Sequence, residues 1–259
     1  MDYQTITLTI AEDVAVLKLD RPELRNALNS RMRVEIRHGV GAAQAQKARV
    51  LVITGSGEAF CSGQDLSDRG NVTSLDIERT LRDEYEPMLR AIYDCQIPTI
   101  CAVNGTAAGA GANLALAADV VIATQSAVFV QAFTRIGLIP DAGGTYMLPR
   151  QMGMAKAMGA ALFAEPITAP QADAWGMIWE AVADDKFEAH WQSRALALAE
   201  GPTEAFARVK QAIRASYENT LDKQLTLEAH LQGECGRTRD FAEGIMAFLE
   251  KRPASFEGR

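Results

Sequence analysis

The chain has 259 residues, 48% hydrophobic and 23% charged, a globular balance that excludes a disordered or collagen-like protein. Its formal charge of −7 and the lack of any long basic run argue against a nucleic-acid partner. With about 100–200 residues per ordinary domain, this length predicts one main body with an appendage.

Residues 5–10 and 14–19 alternate apolar and polar around a short AED turn, which predicts a β-hairpin. The start of the chain lacks the basic and continuous apolar regions of a signal peptide. Further on, no apolar stretch reaches the ~20 residues that cross a bilayer. A cytoplasmic protein without a membrane partner is therefore expected. The polar loop DRPELRNALNSRM follows, with Asn29 or Ser30 as cap of a helix carrying Met32, Ile36, Val40 and Ala43 on one face. RVLVITG (49–55), PTICAVNG (98–105) and VVIAT (120–124) are short buried-strand runs separated by helical patterns, including one over roughly 74–94. That alternation predicts crossover units of an α/β fold. Thr168 to Gly176 has the signals of a complete short helix, with Thr168 as cap, Pro170 in the first turn and Gly176 as stop. After residue 186 the pattern turns all-helical (187–200, 203–219, 221–232, 239–251), which divides the chain into a core, 1–186, and a helical section, 187–259.

Cys61, Cys95, Cys101 and Cys235 form no C-x-x-C pair, and the only histidines are His38, His190 and His230, so no metal site is expected. GTAAGAG (105–111) follows a strand and opens a helix, yet a dinucleotide fingerprint would need a third glycine where Leu114 stands. Either its glycines serve close helix–strand packing, or the helix start offers free N–H groups to an anion. EAFCSGQDL (58–66) is a second turn after a buried strand, readable as a tight turn with Asp65 as a helix cap. Together the two turns could supply the pair of backbone N–H groups that an oxyanion hole requires. In GLIPDAGGTYMLPR (137–150), Asp141 is either a turn former or cap, or a carboxylate set against Phe133, Ile136 and Leu138. The second setting would raise its pKa and suit it to proton transfer.

DRPELRNALN, AFCSGQDL, AVNGTAAGAG and FVQAFTRIGLIPDAGGT, in this order, resemble the enoyl-CoA hydratase/isomerase (crotonase) superfamily over nearly the whole chain. The resemblance implies a spiral of ββα units with a C-terminal helical oligomerisation section, assembled as a homotrimer or hexamer. It implies an acyl-CoA substrate, so that coenzyme A enters as part of the substrate and no separate cofactor is needed. The oxyanion donors become the backbone N–H groups of Gln64 and Ala110, and the substrate pocket includes Asp65, Leu66, Gly111, Asn113, Phe133 and Leu138. Arg25, Ala27, Ser62 and Gly63, with Lys251 and Phe256 from a neighbouring subunit, become the coenzyme A contacts. From the residues alone, Arg25 also reads as a solvated surface arginine, and Lys251 and Phe256 as a solvated helix end.

The family's hydratases use two glutamates, and here those positions hold Asn113 and Phe133. The remaining carboxylate, Asp141, stands at the position used by several family isomerases. Water addition is well served by two carboxylates, whereas a 1,3-proton shift needs one. NGTAAGAGANLALA, VFVQAFTRIGLIPDAGGTYMLPR and ADAWGMIWEAV most resemble the isomerase branch. That branch implies conversion of ring-epoxidised phenylacetyl-CoA to an oxepin-CoA, and cis-3 to trans-2 double-bond shifts. A hydratase or another crotonase-family acyl-CoA enzyme of dehalogenase type, and an inactive crotonase-fold protein acting as a partner of other acyl-CoA enzymes, are the competing expectations. A hydratase partner enzyme is also conceivable.

Overall fold

The computed structural model describes residues 1–68 and 76–259. The expected hairpin is β1 (Ile6–Ala11) and β2 (Val14–Leu19), paired antiparallel from Ile6↔Leu19 to Ala11↔Val14. Glu12 and Asp13 turn it with φ of 51° and 60°, the left-handed backbone of a two-residue hairpin loop. Helix α1 (Ser30–Ala45) takes Asn29 as its cap, the side-chain oxygen accepting from Met32 N at 2.8 Å. Met32, Ile36, Val40 and Ala43 are all fully buried. Glu35, on the same helix, is buried too and accepts from Thr5 N and Thr5 Oγ1, which ties α1 to the first strand.

The chain then repeats a ββα turn. β3 (Val50–Gly55) leads to β4 (Ala59–Cys61), then to α2 (Ile77–Thr80) and α3 (Glu86–Tyr93), joined by a wider π-type turn at Leu81–Tyr85. Residues 74 and 75 of the expected helix lie outside the described residues. β5 (Thr99–Val103) leads to β6 (Thr106–Ala108) and α4 (Ala110–Leu116). β7 (Val120–Thr124) leads to β8 (Val128–Val130), a 3-10 turn at Ala132–Ile136, and α5 (Gly144–Phe163), which is broken at Gly153. β9 (Ile167–Thr168), α6 (Ala169–Ala174) and β10 (Glu180–Val182) follow. At α6 the expected signals hold: Thr168 and Gln171 bond reciprocally as a capping box, and Gly176 leaves with φ of 74°.

The first strand of each turn joins a six-stranded sheet, β1-β2-β3-β5-β7-β10, parallel beyond the hairpin; the second joins a smaller sheet, β4-β6-β8-β9. This is the ββα spiral that the resemblance implied. The larger sheet is covered on both faces, so β3 and β5 are continuous apolar runs buried throughout. Leu51 and Ile53 face α1, α3 and the smaller sheet, while Val50 and Val52 face the other way.

The C-terminal section consists of α7 (Phe187–Ala199), α8 (Thr203–Ala215), α9 (Leu221–Cys235) and α10 (Arg239–Glu250). Phe187, Trp191, Ala195 and Ala199 of α7 cover the Val50–Val52 face, so the sheet's packing continues past residue 186. Asp119, at the foot of β7, receives Lys210 Nζ and Arg214 Nη2 of α8, each at 2.7 Å. Beyond that anchor, α8, α9 and α10 enclose an apolar groove of about 980 Å³. No helix among the described residues is long and apolar enough to cross a membrane.

Candidate active site

β4, β6 and β8 lie side by side and parallel, so the segments leaving their C-terminal ends meet although they are far apart in sequence. Those segments are Ser62–Asp65, Gly109–Ala110 and Gln131–Asp141. Binding sites in parallel sheets form at this end of the strands for the same topological reason.

The first turn is held from outside by the loop of residues 25–28. Ser62 N donates to Arg25 O at 2.9 Å, Leu28 N to Gly63 O at 2.7 Å, and Asp65 N to Leu28 O at 3.1 Å. That ladder leaves the Gln64 N–H unpaired among the described residues. In the second turn Gly109 N donates to Val130 O at 2.7 Å, and the N–H of Ala110, the first residue of α4, has no partner among the described residues. The two turns nearly touch. A Cβ on Gly63 would sit 2.7 Å from Ala108 O and 3.5 Å from Ala110 N, and φ there is 93°. Only glycine leaves room for a ligand oxygen between the two amides.

The two free amides open into a cavity of about 320 Å³, walled by Gly63 and Gln64, Gly109 and Ala110, Phe133, Leu138, Leu81 and Tyr85. Leu66 and Ile136 stand exposed at its rim. Asp141 is the one carboxylate among the described residues lining it. Its Oδ1 is buried without a hydrogen-bond partner among the described residues. Burial pushes the carboxyl up to about 6, against a small opposing effect of its own main-chain amide. Asp141 does not cap α5, whose N-cap position is Gly143 and which has no side-chain cap. The turn-and-cap role survives only in the main chain, where Asp141 O accepts from Gly144 N at 2.8 Å.

Asp65 behaves in the opposite way. Burial would raise its pKa, but bonds from Ser67 and Arg21 outweigh that and hold it below the ordinary carboxylate range. Its Oδ2 pairs with Arg21 Nη1 at 2.9 Å, and its Oδ1 accepts from Ser67 N and Oγ. Asp65 is thus an ionised strut of the turn rather than part of the cavity wall. Gly111 and Asn113 also stand behind the wall rather than in it. Gly111 is pressed on β4, where a Cβ would lie 2.4 Å from Cys61 O. Asn113 is fully buried, with its amide engaged by Gln131 and Asp141. These three expected pocket residues support the pocket without lining it.

Of the expected coenzyme A contacts, Arg25, Ala27, Ser62 and Gly63 come together in the paired loops beside the cavity mouth, with Arg25 exposed and Ala27 packed inward. Lys251 and Phe256 do not join them within one chain. Lys251 ends α10 in a left-handed conformation, and Phe256 folds back towards Gly244 in the C-terminal groove.

The pattern of residues gave no sign of Arg33 or Tyr85. Arg33 is fully buried on α1 and donates to Leu28 O (2.7 Å), Gln64 Oε1 (3.0 Å) and Glu84 Oε2 (2.6 Å). Tyr85, whose pKa burial raises, donates to the same Gln64 oxygen at 2.6 Å. Gln64 Nε2 donates to Asp65 O, so the whole side chain is fixed and the turn is pinned from inside as well. Cys61, beside the turn, is no nucleophile: burial pushes its thiol up to about 12, and it donates to Asn26 O.

Two unpaired amides converging beside one half-buried carboxylate, on a ββα spiral, define an enzyme of the crotonase fold. The chain belongs to the enoyl-CoA hydratase/isomerase family, whose model matches residues 9–259. It is 61% identical over 259 residues to a Rhodobacter capsulatus protein named "Probable enoyl-CoA hydratase", covering 100% of both chains. It is 44% identical over 255 residues to the 1,2-epoxyphenylacetyl-CoA isomerase of Escherichia coli K12, covering 96% of this chain and 97% of that one. The crystal structure of an enoyl-CoA hydratase from Polaromonas sp. JS666 superposes with a TM-score of 0.92 at 31% identity, covering 97% and 99%.

Proposed function

We propose that the chain is an acyl-CoA isomerase working through a thioester enolate, with coenzyme A entering as part of the substrate. The supporting observation is the carboxylate count: Asp141 is the one carboxylate lining the cavity among the described residues, while the two positions that the resemblance assigns to the hydratases' glutamates hold Asn113 and Phe133. The thioester oxygen would lie between the N–H groups of Gln64 and Ala110, which stabilise the negative charge developing there. Ionised Asp141 takes a proton from C2 of a cis-3-enoyl-CoA, and the electron pair spreads over the thioester and the C3–C4 double bond. The same carboxyl then delivers a proton to C4, leaving the double bond between C2 and C3 and the formula unchanged. Phe133 and Leu138 keep bulk water from the enolate, so that the proton delivered to C4 comes from Asp141 rather than from solvent. The E. coli relative's name points to 1,2-epoxyphenylacetyl-CoA as the ring substrate, with ring expansion to the oxepin as another isomerisation. Arg25, Ala27, Ser62 and Gly63 would hold the coenzyme A moiety. In a homotrimer or hexamer, contacts through the α8–α10 groove would bring Lys251 and Phe256 of a neighbour over it. A separate hydratase would consume the 2-enoyl product in the cytoplasm.

The R. capsulatus relative's name favours a second reading, a hydratase. Incubation with crotonyl-CoA, a cis-3-enoyl-CoA and ring-epoxidised phenylacetyl-CoA separates the two. The isomerase reading expects rapid turnover of the last two and little 3-hydroxyacyl-CoA from the first. Rapid hydration of crotonyl-CoA without isomerisation would overturn it, and acyl-CoA binding without turnover would mark an inactive partner protein.

A further inference from the structure

We propose that Asn113 is a positioning residue, whose side-chain amide holds the Asp141 main chain at a fixed place relative to the Ala110 amide. The proposal rests on Asp141 being the acid/base.

Asn113 Nδ2 donates to Asp141 O at 2.8 Å, and its Oδ1 accepts from Gln131 Nε2 at 2.9 Å. A backbone carbonyl can only accept, so Asn113 must turn its nitrogen to Asp141, and Gln131 must then present a donor. This order leaves Gln131 Oε1 buried without a partner among the described residues, a desolvation cost that the rest of the arrangement must outweigh. Asp141 O also accepts from Gly144 N. Gly144 itself packs flat on Asn113, where a Cβ would lie 2.4 Å from Nδ2. The carboxylate, by contrast, has no hydrogen bond to another side chain among the described residues, and Oδ1 has no partner there. Its place in the cavity is therefore set through the main chain, and Asn113 is the side chain that grips it.

The same residue stands one helical turn after Ala110, and its own N–H closes that turn on Gly109 O at 3.2 Å. One turn of α4, about 5 Å long, thus carries both the free amide that would hold the thioester oxygen and the clamp on the base. The separation between them is built into a rigid element rather than left to the glycine-rich loop after Pro140. A shift of ~1 Å in such a separation can lower turnover about 100-fold.

The test compares the wild type with Asn113→Ala and Asn113→Asp, each with its fold checked by circular dichroism. Asn113→Asp preserves volume and the Gln131 bond should Asn113→Ala fail to fold. The readouts are kcat and KM for a cis-3-enoyl-CoA, and the ¹³C titration of the Asp141 carboxyl, identified by the resonance that Asp141→Asn removes. Asn113→Ala should lower kcat about 10- to 100-fold with KM little changed, and its carboxyl midpoint should fall from about 6 towards 3.8 as the segment relaxes into water. Asn113→Asp should titrate as a coupled pair whose second step lies above the wild-type midpoint. A midpoint unchanged in the folded variants overturns the proposal, whatever the rates, and so does wild-type kcat in folded Asn113→Ala. If the wild type itself does not isomerise, the acid/base role of Asp141 fails, and the midpoints alone decide whether Asn113 is its clamp.

Discussion

Replacing Asp141 with Asn should slow isomerisation by orders of magnitude and at the same time stabilise the fold at neutral pH. In the native chain the carboxyl midpoint is raised from 3.8 to about 6 by burial, and Oδ1 has no hydrogen bond to offset the lost hydration. Between those pH values the folded chain retains a proton that the unfolded chain has released. Stability therefore falls as pH rises through the window, and the full loss is present above it. At ~1.4 kcal/mol per pH unit the raised midpoint corresponds to about 3 kcal/mol. The side chain is only half-buried, and screening by water reduces the expected effect to about 1–2 kcal/mol. Asp141→Asn carries no charge at any pH, so it should exceed the wild type by that amount at pH 8 and match it near pH 4. Urea unfolding of both proteins at the two pH values, with equal slopes, measures the difference directly, because every other titrating group is shared. A variant less stable than the wild type at pH 8, or a gap that does not change with pH, would refute a desolvated carboxylate.

Catalysis should follow the same titration with the opposite benefit: kcat/KM should drop about tenfold per pH unit below about 6, as Asp141 takes up the proton that a base must lack. Gly63→Ala should lower kcat about 100-fold in steady-state assays while the circular dichroism spectrum stays native. Its methyl would meet Ala108 O at 2.7 Å on a backbone with φ of 93°. Arg33→Met should cost about 3 kcal/mol in urea unfolding, because it removes the buried half of the pair with Glu84. It should also lower kcat, since the Gln64 side chain loses a donor.

Much of the frame was legible because its signals are local. The β1–β2 alternation, the Thr168 cap with its Gly176 stop and the buried runs around Ile53 and Cys101 each announce themselves within ten residues. The smaller sheet was not legible: β4, β6, β8 and β9 are two or three residues long, too short for any period to show. Yet these strands bring the three site segments together, so the site's unity could be inferred only from the family resemblance. Arg33 was missed because a charged residue beside Met32 on an amphipathic helix normally faces water; here it turns inward to partners at 64 and 84 that no local pattern connects to it. Asp65, Gly111 and Asn113 entered the expected pocket through the family resemblance, which carries positions over without saying which way they face. Adjacency in a motif places the main chain, but Arg21, Cys61 and Gln131 decide where those residues face.

The most direct measurement is turnover of a cis-3-enoyl-CoA deuterated at C2, by the wild type and by folded Asp141→Asn. The wild type should yield the trans-2 isomer, with part of the label carried from C2 to C4 by one carboxyl. Asp141→Asn should be slower by ~10²–10⁴-fold. Wild-type turnover by that variant would contradict a mechanism in which Asp141 alone moves the proton.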